Sequence, residues 1–143
     1  MAKTRDQLID EMLDREAIRD LPVRYCHYIW TKNLDGILSL FTNDGIFAME
    51  GLGAPQEVKG QEALRKFYGQ VAQGTGGPAP YIHNIVIDLK DATHATGTSY
   101  PEVRSSGEQM KLMALGYYAD EYEKVNGQWK FKARRFKNLR SGS

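Results

Sequence analysis

The chain has 143 residues, 41% of them hydrophobic and 26% charged, with a formal net charge of +1. That balance excludes a disordered polyelectrolyte, and the length suits one folded domain burying about 68% of its unfolded surface. No run approaches the ~20 apolar residues of a membrane-spanning helix, and the charge calls for no nucleic acid or other polyanion. A single cysteine, Cys26, excludes an internal disulfide framework, and Met1-Ala2-Lys3-Thr4-Arg5 lacks the apolar core of a secretion signal, so a cytoplasmic location is expected. The domain is expected over residues 1–140, with Ser141-Gly142-Ser143 as a tail outside the fold.

From Thr4 to Thr31 the pattern is helical: Ile18, Leu21, Tyr25 and Ile29 recur every three or four residues, with Asp10, Glu11, Asp14, Arg15 and Arg19 largely off that stripe. Pro22 lies inside, where it deletes a backbone donor and crowds the carbonyl four residues earlier, so a bend or break is expected near Arg19. Tyr25 continues the stripe as a packing residue whose hydroxyl could take a second role. Asn33 suits the N-cap of a short helix, Leu34 to Phe41, which the turn Asn43-Asp44-Gly45 ends. A short apolar strand follows over Ile46 to Glu50, with Gly51 and Gly53 marking a bend. Helical spacing returns from Gly60 to Ala72 through Ala63, Leu64, Phe67, Tyr68 and Val71. The Gly-rich loop 73–78 is then either a plain connector or a gate.

In the next strand, Tyr81, His83, Ile85, Ile87 and Leu89 share one face at a period of two. A histidine in so apolar a face is either a core residue satisfied by a partner or a pocket residue able to move protons near neutral pH. Lys90-Asp91-Ala92 reads as a turn into a strand from Thr93 to Val103, and Arg104 to Glu108 as a polar connection. Gln109 to Val125 alternates and is rich in aromatics, and Val125-Asn126-Gly127-Gln128 is the strongest hairpin signal present. The last strand, Trp129 to Leu139, sets Trp129, Phe131 and Ala133 on one side and Lys130, Lys132 and Arg134 on the other, which reads as a solvated face. Helices first and hairpin-linked strands last imply an α+β fold, helices packed on one face of an antiparallel sheet.

Several chemistries are absent from the sequence. It contains no Gly-rich dinucleotide fingerprint, no phosphate loop and no Gly-x-Ser-x-Gly elbow. His27, His83 and His94 lie in separate elements and Cys26 has no cysteine partner, so no metal-ligand spacing is present and no metal is expected.

The segments Asp14-Arg15-Glu16-Ala17-Ile18-Arg19-Asp20-Leu21, Asn33 to Gly45, Gly60 before its helix, His83, and Gly127-Gln128-Trp129-Lys130-Phe131 occur in an order that resembles the SnoaL-like branch of the NTF2-like superfamily. The resemblance runs over nearly the whole chain. It implies a cone in which N-terminal helices pack on a curved antiparallel or mixed sheet around an apolar cavity, where buried side chains move protons on a small hydrophobic substrate. By position, His83 matches the strand histidine that acts as general base in dehydratases and a dehydrochlorinase of this kind, and Tyr25 a first-helix tyrosine placed in the pocket. Those relatives pair the histidine with an aspartate near the end of the first helix, and Trp30 stands there instead. Without that carboxylate the imidazolium is less stabilised and a weaker base results, unless Glu102, Glu50 or Asp120 replaces it, Glu102 being favoured by its place beside Tyr100.

The expected function is therefore a cofactor-free lyase, dehydratase-like, on a hydrophobic and possibly polycyclic substrate. His83 would transfer the proton, Tyr25 and Tyr100 would polarise oxygen, Trp30 would shape the pocket, and Ala48 and Ile85 would line its wall. An isomerase or polyketide-type cyclase in the same cavity is one alternative, and a non-catalytic carrier or assembly module another. A homodimer or homotrimer through the open sheet face is expected, with no membrane partner.

Overall fold

The computed structural model describes residues 2–51, 56–74, 77–107 and 109–141, and the side chains of all but the last two of these. Helix α1 spans Arg5–Thr31, α2 Leu34–Ser39 and α3 Gln61–Gln73; the strands are β1 Phe41–Glu50, β2 Gln56–Lys59, β3 Pro78–Leu89, β4 His94–Ser105, β5 Leu112–Val125 and β6 Gln128–Ser141. They form one curved, open, six-stranded sheet in the order β2-β1-β6-β5-β4-β3. Every neighbouring pair is antiparallel except β1 with β6, so the α+β sheet is mixed.

Thr4 starts α1 with a capping box, its hydroxyl accepting from the Gln7 amide while the Gln7 side chain accepts from the Thr4 amide. The helix runs unbroken through Pro22, so of the bend or break expected there the break does not occur. The core residues Ile18, Leu21, Tyr25 and Ile29 grip it on both sides of the proline, and burial outweighs one lost backbone bond. Lys32 ends it in the left-handed region, its amide turned back onto the Ile29 and Tyr28 carbonyls.

Three local readings of the sequence are corrected. Helix α2 stops at Ser39, and Asn43-Asp44-Gly45 is no turn: β1 already runs through it, irregularly, between Phe41 and Ile46. At Gly45 any Cβ would sit 2.9 Å from that of Phe41, so close packing rather than a reversal is why glycine occupies the position. The edge strand β2 was not anticipated, since Gln56-Glu57-Val58-Lys59 is short and polar. Gly53, and Thr75 and Gly76 of the suspected gate, lie outside the described residues. The Asn126-Gly127 hairpin forms as read, both residues at positive φ, 50° and 79°.

Two register shifts decide which side chains enter the core. In β3 the pairing with β4 slips between Ile82 and Ile85, so Ile85, Ile87 and Leu89 pack on the core while His83 is exposed instead of sharing their face. In β6 the pairing with β5 slips between Phe131 and Ala133. Arg134 therefore turns inward and is fully buried, the reverse of its expected solvated side. The core itself is aromatic, built from Tyr25, Phe41, Phe47, Tyr68, Tyr118, Tyr122, Phe131 and Phe136 with the α1 stripe and Leu64.

Candidate functional site

Between α1, α3 and the inner face of the sheet lies a cavity of about 540 Å³. Its wall is made by Tyr25 and Ile29 of α1, Phe47 and Met49 of β1, Phe67, Tyr68 and Val71 of α3, Pro78 and Pro80 of β3, Val103 of β4, Met113, Ala114 and Tyr118 of β5, and Phe136 of β6. Strands β1 and β3 supply alternate residues to that wall. Phe47 and Met49 face it, and Ala48 between them faces away, between Glu57 and Arg135 of the neighbouring strands.

The polar groups of the wall are tyrosine hydroxyls. Tyr25 Oη and Tyr68 Oη lie 2.9 Å apart in a buried hydrogen bond, and Tyr118 meets the Tyr25 ring edge-on at 5.9 Å between centroids. Burial is the main reason that all three phenols lose their protons far less readily than a free tyrosine, although the nearby Arg134 charge partly opposes it. They are therefore neutral hydrogen-bond donors at physiological pH, not tyrosinate bases.

Behind the tyrosines sits the Arg134 guanidinium, 3.6 Å from the centroid of Tyr118 and 4.3 Å from that of Tyr25. Asp120 approaches its Nε at 3.4 Å, an ion pair without hydrogen-bond geometry. Arg134 Nη2 donates to Ser99 Oγ at 3.0 Å, and Asp120 Oδ2 accepts from Tyr122 Oη at 3.0 Å and Ser99 Oγ at 3.4 Å. Burial alone would loosen the Arg134 proton, but Asp120 and the surrounding phenols outweigh it and hold the cation more firmly protonated than usual. For Asp120, burial raises its pKa, and Arg134, Tyr122 and Ser99 only partly oppose this. Gly97 makes room for this layer, since a Cβ there would lie 3.0 Å from the Tyr122 ring.

The residues singled out from the sequence scatter around this cavity. Tyr25 is in its wall and Asp120 is in the layer behind it. Ile85 packs on the core without lining the cavity. Trp30, 43% exposed, donates from Nε1 to the Pro80 carbonyl at 2.7 Å and meets Tyr81 edge-on, so it closes the end of α1 against β3. Glu50 pairs with Lys137. His83, Glu102 and Tyr100 lie on the outer side of the β3–β4 edge, where His83 Nε2 stands 3.5 Å from Glu102 Oε1. Glu102 is also held at 2.5 Å by Arg104, which with a smaller contribution from His83 keeps its carboxyl below the usual range. Of the three acids considered as partners for His83, Glu102 is the one beside it. Reasoning from sequence missed Tyr68, Tyr118 and Arg134; Tyr68 was visible only as one apolar position in the α3 stripe. No group of three or more His, Cys, Asp or Glu side chains is placed to hold a metal ion among the described residues.

The family model for the SnoaL-like domain matches residues 10–135. The chain belongs to the SnoaL-like family. Solved structures agree on the NTF2-like fold. A variant of Rv3472, a function-unknown protein from Mycobacterium tuberculosis, superposes with a TM-score of 0.82 at 28% identity, over 93% of this chain and 76% of that one. A protein provisionally assigned as an aromatic ring hydroxylase from Novosphingobium aromaticivorans gives 0.80 at 26%, over 92% and 94%. The hexachlorocyclohexane dehydrochlorinase LinA-type3 from Novosphingobium barchaimii gives 0.78 at 20%, over 93% and 91%, a likeness of fold alone. No curated protein sequence matches the chain significantly. Among the described residues of this SnoaL-like chain, no helix is long and apolar enough to cross a membrane.

Proposed function

We propose that this SnoaL-like protein binds a small, mostly apolar ring compound carrying one carbonyl or hydroxyl oxygen, and promotes elimination or double-bond migration next to that oxygen without a cofactor. The observation that carries this reading is the Tyr25–Tyr68 hydroxyl pair, the polar spot in a cavity of about 540 Å³ whose wall is otherwise almost wholly apolar. That volume suits a fused-ring ligand. Within the pair one phenol donates to the other, and the remaining O–H donates to the ligand oxygen, a bond that strengthens as negative charge develops there in an enolate-like transition state. Arg134, behind both Tyr25 and Tyr118, adds positive potential without touching the ligand. No carboxylate or imidazole lines the cavity among the described residues. The lining thus favours substrates whose α-proton is already acidic: a water takes that proton and the hydronium formed returns one to the leaving hydroxyl, which departs as water. Dehydratase and dehydrochlorinase activities among proteins of this fold support the reaction class. The apolar wall also suits a carrier that binds without turnover.

The test is a fused-ring β-hydroxyketone whose loss of water gives a conjugated, ultraviolet-absorbing product. Turnover should fall by about 100-fold in Tyr25→Phe and in Tyr68→Phe, and persist in His83→Ala. Binding without turnover would establish the carrier instead. Turnover lost in His83→Ala and kept in the tyrosine variants would move the site to the outer β3–β4 edge.

A further inference from the structure

The first half of α1 carries a second apolar surface that the core does not use. Leu8, Ile9, Met12 and Leu13 are 48%, 41%, 69% and 64% exposed. At about 100° per residue they form one stripe, on the side of the helix opposite Ile18, Leu21, Tyr25 and Ile29. Arg5 and Glu16 fall on the same stripe, one at each end, and both are exposed. Four neighbouring charges are engaged elsewhere in the chain: Lys3 pairs with Glu11 at 2.6 Å, Arg15 Nη1 donates to the Ile87 carbonyl at 2.9 Å, and Asp14 accepts from Trp129 and Lys124. Arg5 and Glu16 make no hydrogen bond or ion pair among the described residues.

The order of these six side chains is self-complementary. Lay a second α1 antiparallel on the first, with the two-fold axis passing between Asp10 and Glu11. Ile9 then faces Met12 of the second copy and Arg5 faces Glu16, each contact occurring twice by symmetry, while Leu8 and Leu13, on opposite flanks of the stripe, each pack beside their own counterparts. The reverse, parallel arrangement would set Arg5 against Arg5 and Glu16 against Glu16. We propose that the N-terminal half of α1 is a homodimerisation surface, pairing antiparallel with a second copy of this chain through Leu8, Ile9, Met12 and Leu13 between two Arg5–Glu16 ion pairs. Charge complementarity under a single register is what selects a second copy as the occupant. The outer sheet face differs in this respect. Three of its ion pairs, Glu50 with Lys137, Glu57 with Arg135 and Glu102 with Arg104, form within the chain. Three helical turns, about 16 Å, give an interface below the ~1,200 Å² of a stable complex, so the dimer is weak and concentration-dependent. The inference is independent of the cavity reading.

Sedimentation equilibrium of the full chain from roughly 10 μM to 1 mM tests it. A monomer–dimer equilibrium is expected. Leu13→Glu should raise the dissociation constant by about 100-fold, a tenfold loss at each of the two symmetric positions. Arg5→Glu and Glu16→Arg should each weaken the dimer, and the double variant Arg5→Glu with Glu16→Arg should restore it, which a nonspecific apolar contact would not do. All three positions are exposed, so circular dichroism should show unchanged folding. A monomer at every concentration, or a dimer that Leu13→Glu and Arg5→Glu leave intact, would overturn the proposal.

Discussion

Two carboxylate–cation clusters, one on each face of the sheet, show how far environment outweighs residue type. On the inner side Asp120 and Arg134 are wholly buried among Tyr25, Tyr118, Tyr122 and Phe131. On the outer side of the β3–β4 edge His83, Glu102 and Arg104 form a similar chain, with the His83 side chain 59% exposed. The two carboxyls are pushed in opposite directions. Burial raises the pKa of Asp120, whereas the Arg104 bond lowers that of Glu102. Where water is excluded, desolvation dominates and the pair works only as part of a satisfied network. Where water is present, the partner sets the direction and the interaction is weak.

The largest expected effect lies on the buried side. Arg134→Ala should cost about 3–5 kcal/mol in denaturant unfolding, because it strands Asp120 in an apolar setting. Replacing both partners, Arg134→Met with Asp120→Leu, should recover most of that loss; equal damage in the double variant would mean that the pair is more than mutually compensating. Next comes Tyr25→Phe, which leaves the Tyr68 hydroxyl without its 2.9 Å partner and should cost about 1–3 kcal/mol in the same measurement.

The pH dependence separates the clusters by sign. Asp120, with its raised folded pKa, contributes stability fully present below its unfolded value of about 3.9 and lost as pH rises through the folded value. Glu102, with a lowered folded pKa, contributes stability present above about 4.3 and lost as pH falls. Subtracting stability curves of Asp120→Asn and Glu102→Gln from that of the parent should therefore give opposite slopes, and slopes of one sign would erase the contrast. The smallest effect is at the edge: His83→Ala should leave the thermal midpoint where it is, and a clear drop would show the outer cluster to be structural.

The helical stripe, the Asn126-Gly127 hairpin and the strand count at the C-terminal end were legible because each is a local pattern. Tyr25 was legible as a core aromatic for the same reason. What failed to read was parity. A strict two-residue period placed His83 with Ile85 and Ile87, and Arg134 with Lys130 and Lys132, but one irregularity in each strand reverses both assignments. Such shifts arise from pairing with a neighbouring strand that local spacing does not encode. The Tyr25–Tyr68 pair was hidden differently, since its members are 43 residues apart and meet only through the packing of α1 against α3.

The central claim is that the ligand enters the tyrosine-floored cavity rather than the outer edge, and methyl NMR tests it directly. Met49 and Met113 line the cavity, Met12 is exposed on α1, and His83 reports on the edge. Titration with 2-naphthol, an apolar fused ring with one hydroxyl, should shift the Met49 and Met113 methyl signals while the Met12 methyl and the His83 ring protons stay in place. The same titration with naphthalene should be weaker by about tenfold, the worth of one net hydrogen bond. Shifts at the His83 ring with Met49 and Met113 unmoved would contradict the account.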